Sequence, residues 1–472
     1  MQFIRPVHLV AVGMLFLSVA LAFLVSALGM MAIMGVAMAV PLLAYLYALI
    51  RFPQIGLYSA LAFSFFAVGL TRYVPAPLGL AIDGLLFVSV LAAVMQVRRE
   101  EISKLNTLPV YVFGIWFIYT TMQLFNPLAP GFTGWFYAIR GTSYNFFFII
   151  ILSMILMSEK KHLMRFLYLW LGLSLLAVFY GFKQKFIGLD GAEQAWLDAG
   201  NASTHVLHGR LRVFSFYSDA GQFGVAMAHA ALMSIALVVG PARLHHKVIF
   251  AVLTLLFLYA MAISGTRGAL FVPVAGALVY FLANRNFTIL ALGVVVLGSA
   301  FVLLRYTYIG QGNYEVQRLR SALNPEDASL SVRQENQRIL ARYLADKPFG
   351  GGIGTSGYFG LRFSPDSLLA QTPTDSWYVR IWAETGVVGL FIHLGGLLML
   401  LVAGFFKVFT LHDPGIRNLM AGLLAGYAGI VVASYGNSII GQYPTNMITM
   451  ISIALIWKCA RWDKPSTIKD VT

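Results

Sequence analysis

An all-α, polytopic membrane protein is the fold class this sequence predicts, on three observations. Of 472 residues, 59% are hydrophobic and only 11% charged, where soluble domains carry roughly 25% charged residues. The mean hydropathy of +0.77 leaves too little polar surface to cover a core, so the bilayer must act as solvent. Apolar runs of about 20 residues recur along the chain, the length that crosses a hydrocarbon layer about 30 Å thick. They do not alternate in polarity, as barrel strands would.

Taken in order, spans are expected at 7–28, 30–50, 54–70, 79–97, 107–126, 136–157, 163–182, 219–239, 248–264, 268–284, 287–304, 376–406, 419–434 and 446–460. That is about fourteen, or twelve to thirteen where a short run re-enters the membrane. The first run has the length of a secretory leader, but no soluble domain follows it, so it reads as an uncleaved span. Residues 1–204 form an N-terminal helical part. Residues 205–400 form a core that includes the long polar loop 305–375 with its short helices. Residues 401–472 form C-terminal spans and a tail.

Short loops bearing Arg51, Arg98, Arg99, Lys104, Lys160, Lys161, Arg243, Lys247, Arg285, Lys407 and Arg417 fall on one side if the spans alternate, as does the tail with Lys464 and Lys469. That bias assigns the side to the cytoplasm. The loops at 71–78, 127–135, 183–218, 305–375 and 435–445 then face outward. The net charge of +14 is scattered among spans and loops, so no nucleic-acid partner is expected; membrane lipid and an anionic lipid-linked substrate fit it better. The one cysteine, Cys459, excludes an intrachain disulfide and a cysteine metal site. His205, His208, His229 and His393 lack metal-ligand spacing, and no metal or cofactor is expected.

Outward arginines are the anomaly. Arg210 and Arg212 stand just before a span, in HGRLRVFSFYSDAGQFG. Asp219 follows, placed to cap that helix. Arg267 lies in SGTRGA with almost no loop around it, where a guanidinium is costly without an anionic partner. Arg140, in FYAIRGTSYN, reads as an isolated intramembrane cation. Arg318, Arg320 and Arg362 read as solvated loop surface.

Within the long loop, residues 331–345 read as one amphipathic helix with a Ser331/Gln334 capping box. Val332, Ile339, Leu340 and Tyr343 form one face, while Arg338 and Arg342 lie on another; Arg342 and Asp346 have ion-pair spacing. FGGGIGTSG follows, a backbone able to approach a phosphate closely but lacking the Gly-Lys-Ser/Thr ending of a nucleotide loop. The loop closes on TPTDSWYVRIWAETGVVGLF. Asp375 is there either a helix cap or, at a buried helix mouth, a general base. Arg380 and Glu384 have ion-pair spacing. SYGNSIIGQYPTN carries Asn437, Gln442 and Tyr443, suited to sugar contact and equally to ordinary loop chemistry.

SGTRGAL between two spans, KPFGGGIG in a long outward loop and TDSWYVRIWAETGVVGL entering a span together resemble the O-antigen ligase and polymerase family of bacterial membrane glycosyltransferases. RLRVFSFYSDAGQFG is similar to that family's arginine-bearing segment. The resemblance covers about residues 205–400 by motif and the chain by layout. It implies an undecaprenyl-diphosphate-linked glycan as donor, metal-independent inverting transfer, and an active site on the periplasmic face of the inner membrane. It also implies a chain-length regulator and a flippase as partners.

Carried over by position, Arg210, Arg212 and Arg267 match the diphosphate arginines; Arg140, Arg338 and Arg342 are further candidates. Asp375, with Glu384 in reserve, is the expected base, and Tyr378, Arg380, Asn437, Gln442 and Tyr443 the acceptor contacts. Asp375 falls where ligases of the family place a histidine and Ser376 where an asparagine is usual, a departure that weighs against a ligase. Polymerisation of repeat units is therefore the leading reading. Ligation onto lipid A core or another acceptor comes second, and a polysaccharide transporter or flippase third.

Overall fold

The computed structural model describes residues 18–19, 26, 30–97, 103–207, 209–285, 287–321 and 328–463. Most of the expected first span, Arg98, Arg99, His208 and the tail with Lys464 and Lys469 lie outside the described residues. The protein is an all-α polytopic membrane protein: ten described helices are long and apolar enough to cross a membrane. Shorter apolar helices at Ala37–Arg51 and Gly293–Tyr306 correspond to two more expected spans. Thr445–Lys458, of 14 residues, is about 21 Å long at 1.5 Å per residue. It reaches less than the full hydrocarbon thickness and is sheathed by protein, with nearly every residue buried.

Two helices sit at the centre. Ala220–Val239 and Pro414–Ala433 are 78% and 83% buried over their apolar windows, against 28% for the peripheral Leu244–Ile263. Their sequences, AGQFGVAMAHAALMSIALVV and PGIRNLMAGLLAGYAGIVVA, are rich in Gly and Ala. Small residues let helix backbones approach closely, which drives packing where lipid gives no hydrophobic contrast. Asp219 caps the first of these helices, its carboxylate accepting from the Gln222 backbone N–H at 2.9 Å.

The loops around residues 71–77, 126–130, 188–219, 307–376 and 434–444 gather at one end of the bundle. Two two-residue strands, Val206–Leu207 and Arg210–Leu211, pair there antiparallel. The long loop holds Tyr314–Ser321, Ala328–Leu344, Gly357–Phe363 and Leu368–Gln371. The expected amphipathic helix is present but begins at Ala328, so Ser331 lies inside it and forms no N-terminal capping box. Leu340 and Leu344 bury against Leu369 and Ala383, while Val332 is exposed. Asp346 pairs with Lys347 at 2.6 Å, not with Arg342.

The glycine-rich segment is not an open cradle. The helix Trp377–Phe409 is broken at Gly386, whose φ is +70°. The segment packs into that break: Gly351 N–H donates to Ala383 O and Gly352 N–H to Glu384 O, both at 2.9 Å, and Val388 N–H donates to Pro348 O. Two of its amides, those of Gly351 and Gly352, are spent on the broken helix. A Cβ on Gly386 would lie 2.0 Å from Pro348 O and 2.4 Å from Gly350 N. Gly386→Ala is expected to cost about 2–4 kcal/mol through positive-φ strain and overlap with fixed backbone. A detergent-solubilised Gly386→Ala protein that melts at the wild-type temperature would contradict this packing.

Candidate active site

Two clusters of polar side chains form at the loop-rich end. The first is cationic. Arg212 leaves the small strand pair and ties three segments together. Its Nε donates to Ser264 O (3.3 Å), one terminal nitrogen to Thr204 O (3.0 Å) and the other to Thr266 Oγ1 (3.0 Å). Thr266 Oγ1 in turn donates to Ala220 O at 2.7 Å. The next residue, Arg267, opens a short 3-10 turn, Arg267–Leu270. Arg210, exposed on the strand pair, lies over the Tyr314 ring with its guanidinium carbon 5.2 Å from the centroid. Burial, repulsion from Arg318 and, more weakly, from Arg267 hold the Arg212 pKa below the usual arginine value, against attraction from Asp219. Arginine stays charged regardless. The depression records chiefly what it costs to bury this guanidinium, with the nearness of Arg318 second. Arg318, read from the sequence as loop surface, is half-buried in this cluster, and Arg320 donates to the carbonyls of Thr307, Leu303 and Ile309.

The second cluster lines a cavity of ≈ 420 Å³ whose walls include Asp83, Tyr137, Arg140, Tyr358, Asp375, Trp377, Arg380, Gln442 and Tyr443. Here the charges come in pairs. Arg140 is not isolated: it sits 2.5 Å from Asp83. A π-helical turn at Arg140–Tyr144 interrupts the span and bears this side chain. Arg380 pairs with Glu384 at 3.3 Å, as its spacing predicts. Asp375 pairs with Arg333 at 3.3 Å and has a side-chain exposure of 46%. It is thus neither buried nor held by Arg380. It does not cap the following helix either, since Ser376 occupies that position without a side-chain bond. A cavity with balanced charges, aromatic walls and convergent polar groups suits a neutral polyhydroxylated ligand.

Residues 437–443 join the clusters. Tyr443 OH lies 3.2 Å from Asp83 Oδ1, and Tyr443 O accepts from Gln222 Nε2 at 2.5 Å. Gln442 Oε1 is 3.0 Å from Ser218 Oγ, which is 2.8 Å from Asp219 Oδ2. Asn437 packs against Gly221, where a Cβ would meet its Nδ2 at 2.5 Å.

The structure thus brings Arg140, Asp375, Arg380, Gln442 and Tyr443 to one cavity, and Arg210, Arg212 and Arg267 to the neighbouring cluster. Other candidates lie elsewhere. Glu384 is fully buried behind the wall, accepting from Ser356 Oγ at 2.8 Å. Tyr378 OH donates to Val431 O inside the bundle. Arg338 is exposed and paired with Glu335, and Arg342 is exposed on the same loop helix. Sequence reasoning missed Asp83, Arg318, Arg333, Tyr137, Tyr358 and Trp377. For Asp83 a signal existed: an acid and a cation near the same ends of two spans should seek each other.

Residues 251–394 match the profile of a family described as O-antigen ligase. The match takes in Arg267, Arg318, Arg333, Asp375, Arg380 and Glu384. Over these residues the chain is similar to that family. It is also similar to an O-antigen polymerase of Salmonella muenchen, 24% identical over 192 residues. That match covers 39% of this chain and 45% of the relative, so the chain spans less than half the length of the curated relative it matches.

Proposed function

We propose that this protein transfers a glycan from an undecaprenyl-diphosphate carrier to a sugar hydroxyl at the periplasmic face of the bacterial inner membrane, and that the transfer extends a polymer of repeat units. The observation that carries the reading is the juxtaposition of Arg210, Arg212 and Arg267 with a charge-balanced aromatic cavity. The arginines suit a diphosphate; the cavity suits the sugars.

In the reaction the acceptor oxygen bonds to the anomeric carbon as the bond from that carbon to the diphosphate oxygen breaks, inverting the centre. The leaving oxygen takes the bonding electrons, and guanidiniums at a partly dry interface stabilise that charge. The acceptor proton passes to a base, for which Asp375 is the cavity carboxylate on the loop side. Glu384, behind the wall, positions Arg380. The polymerase name of the relative and the aspartate at position 375 favour polymerisation over ligation. A chain-length regulator and a flippase supplying the carrier are the partners this reading calls for. Removing the protein from its host should leave single repeat units on the carrier or acceptor, with no ladder. An unchanged ladder would contradict the reading. Full-length glycan left on the carrier would favour the ligase.

A further inference from the structure

Residues 212–218 form a strap between the two halves of the site. At one end Arg212 ties the cationic cluster together; at the other, Ser218 Oγ is 3.0 Å from Gln442 Oε1 on the cavity wall. Midway, Ser215 holds a φ of +52°. That left-handed backbone is costly for a residue with a Cβ and persists where the surroundings over-determine it. The bonds that do so come from distant parts of the chain. Gln184 is buried, and its Oε1 accepts from the backbone N–H groups of Phe214 (3.2 Å) and Ser215 (2.8 Å). Arg72 donates to Ser215 O at 2.6 Å and to Tyr217 O. Its guanidinium carbon lies 4.5 Å from the centroid of the Phe214 ring and 4.7 Å from that of Trp196. Ser215 Oγ donates to Ala177 O at 2.7 Å. The clamp is itself held. Gln184 Nε2 donates to Oε1 of the fully buried Glu193 at 2.7 Å, and Glu193 Oε2 takes Lys183 Nζ at 2.5 Å and the Asp190 N–H at 3.0 Å. These bonds turn the Gln184 amide so that its oxygen faces the strap. Phe214 also packs edge-on against His205, ring centroids 5.2 Å apart, and His205 O accepts the Arg212 N–H at 2.8 Å.

We infer that Gln184 and Arg72 are positioning residues that set the place of Arg212 relative to the cavity, so that its guanidinium meets the diphosphate while the sugar lies beside Gln442. The inference rests on the reading of Arg212 as a diphosphate donor. Gln184 and Arg72 touch no substrate; they act through residues 214–217. Small shifts matter here, because a displacement of about 1 Å from productive geometry can cost a hundredfold.

The test titrates undecaprenyl diphosphate into the full-length protein in detergent micelles by calorimetry, which separates Kd from the fraction of molecules that bind. Thermal melting reads folding. Arg212→Ala should weaken binding about 10- to 100-fold, the worth of a hydrogen bond to a charged group. Gln184→Ala and Arg72→Met should each raise Kd about 3- to 30-fold. Arg72→Lys keeps a charged donor for the two carbonyls and should bind more tightly than Arg72→Met; equal binding by the two overturns the role of Arg72. Added to Arg212→Ala, neither Gln184→Ala nor Arg72→Met should weaken binding further, since both act through that side chain. A merely structural role would lower the melting temperature and the binding fraction but leave the Kd of the folded molecules at the wild-type value. That result, or losses that multiply with the Arg212→Ala loss, overturns the inference and leaves the diphosphate site standing. If Gln184→Ala does not fold, the Arg72 variants decide. If Arg212→Ala binds like wild type, the reading of Arg212 falls and the inference with it.

Discussion

Arg267→Ala should lower glycan transfer about a hundred- to thousandfold while the protein accumulates and inserts normally. That is the usual cost of removing one donor aimed at charge that develops in a transition state. Arg267→Lys should recover little of it. A lysine keeps the charge but loses the planar fork that grips two oxygens of a phosphate at once. Normal accumulation is expected because the turn before Arg267 holds itself. Ser264 Oγ donates to Met261 O at 2.6 Å, Thr266 N–H donates to Ser264 Oγ at 3.2 Å, and Thr266 Oγ1 is fixed to Ala220 O. The measurement is the glycan ladder from cells with equal amounts of each variant. A near-wild-type ladder from Arg267→Ala would leave that arginine a structural role at most.

Asp375→Asn is the second large effect. The amide keeps the shape of the side chain and can still face Arg333, but it cannot take a proton. Loss of a general base costs roughly a hundred- to ten-thousandfold. The ion pair itself contributes little, because both partners are more than a third exposed. Arg333→Ala should therefore leave most activity in place, and the contrast separates the base from the pair. The accumulating product names the reaction. Single repeat units on the carrier or capped onto an acceptor mark a polymerase; long glycan still on the carrier marks a ligase. A normal ladder on the normal acceptor would leave Asp375 as nothing more than the partner of Arg333.

The spans and the loop helix were legible because each follows from a local pattern. Long apolar runs and a 3.6-residue stripe are written in neighbouring residues. What could not be read depends on partners far apart in sequence. Arg140 looks isolated because Asp83 is 57 residues away, and Asp375 looks like a helix cap because Arg333 is 42 residues away. The break at Gly386 is invisible to hydropathy, since the apolar run resumes directly after it with VVGLF and the helix as a whole reads as one span. The glycine-rich segment misled in the opposite way. Its composition allows a phosphate cradle, but the break leaves the Ala383 and Glu384 carbonyls without helical partners, and the Gly351 and Gly352 amides satisfy them. The arginine cluster was visible in part: Arg210, Arg212 and Arg267 stand out beside spans. Arg318 did not, because nothing local distinguishes it from the other polar residues of its loop.

The most direct measurement is reconstitution. The purified protein in nanodiscs would be given undecaprenyl-diphosphate-linked repeat units from its host, and both glycan length and carrier would be followed. The account predicts a ladder of lengthening lipid-linked glycan, with one undecaprenyl diphosphate released for each linkage formed, and neither product from the Arg267→Ala protein. Repeat units that stay single, with no undecaprenyl diphosphate released, or a ladder of equal yield from Arg267→Ala, would contradict it.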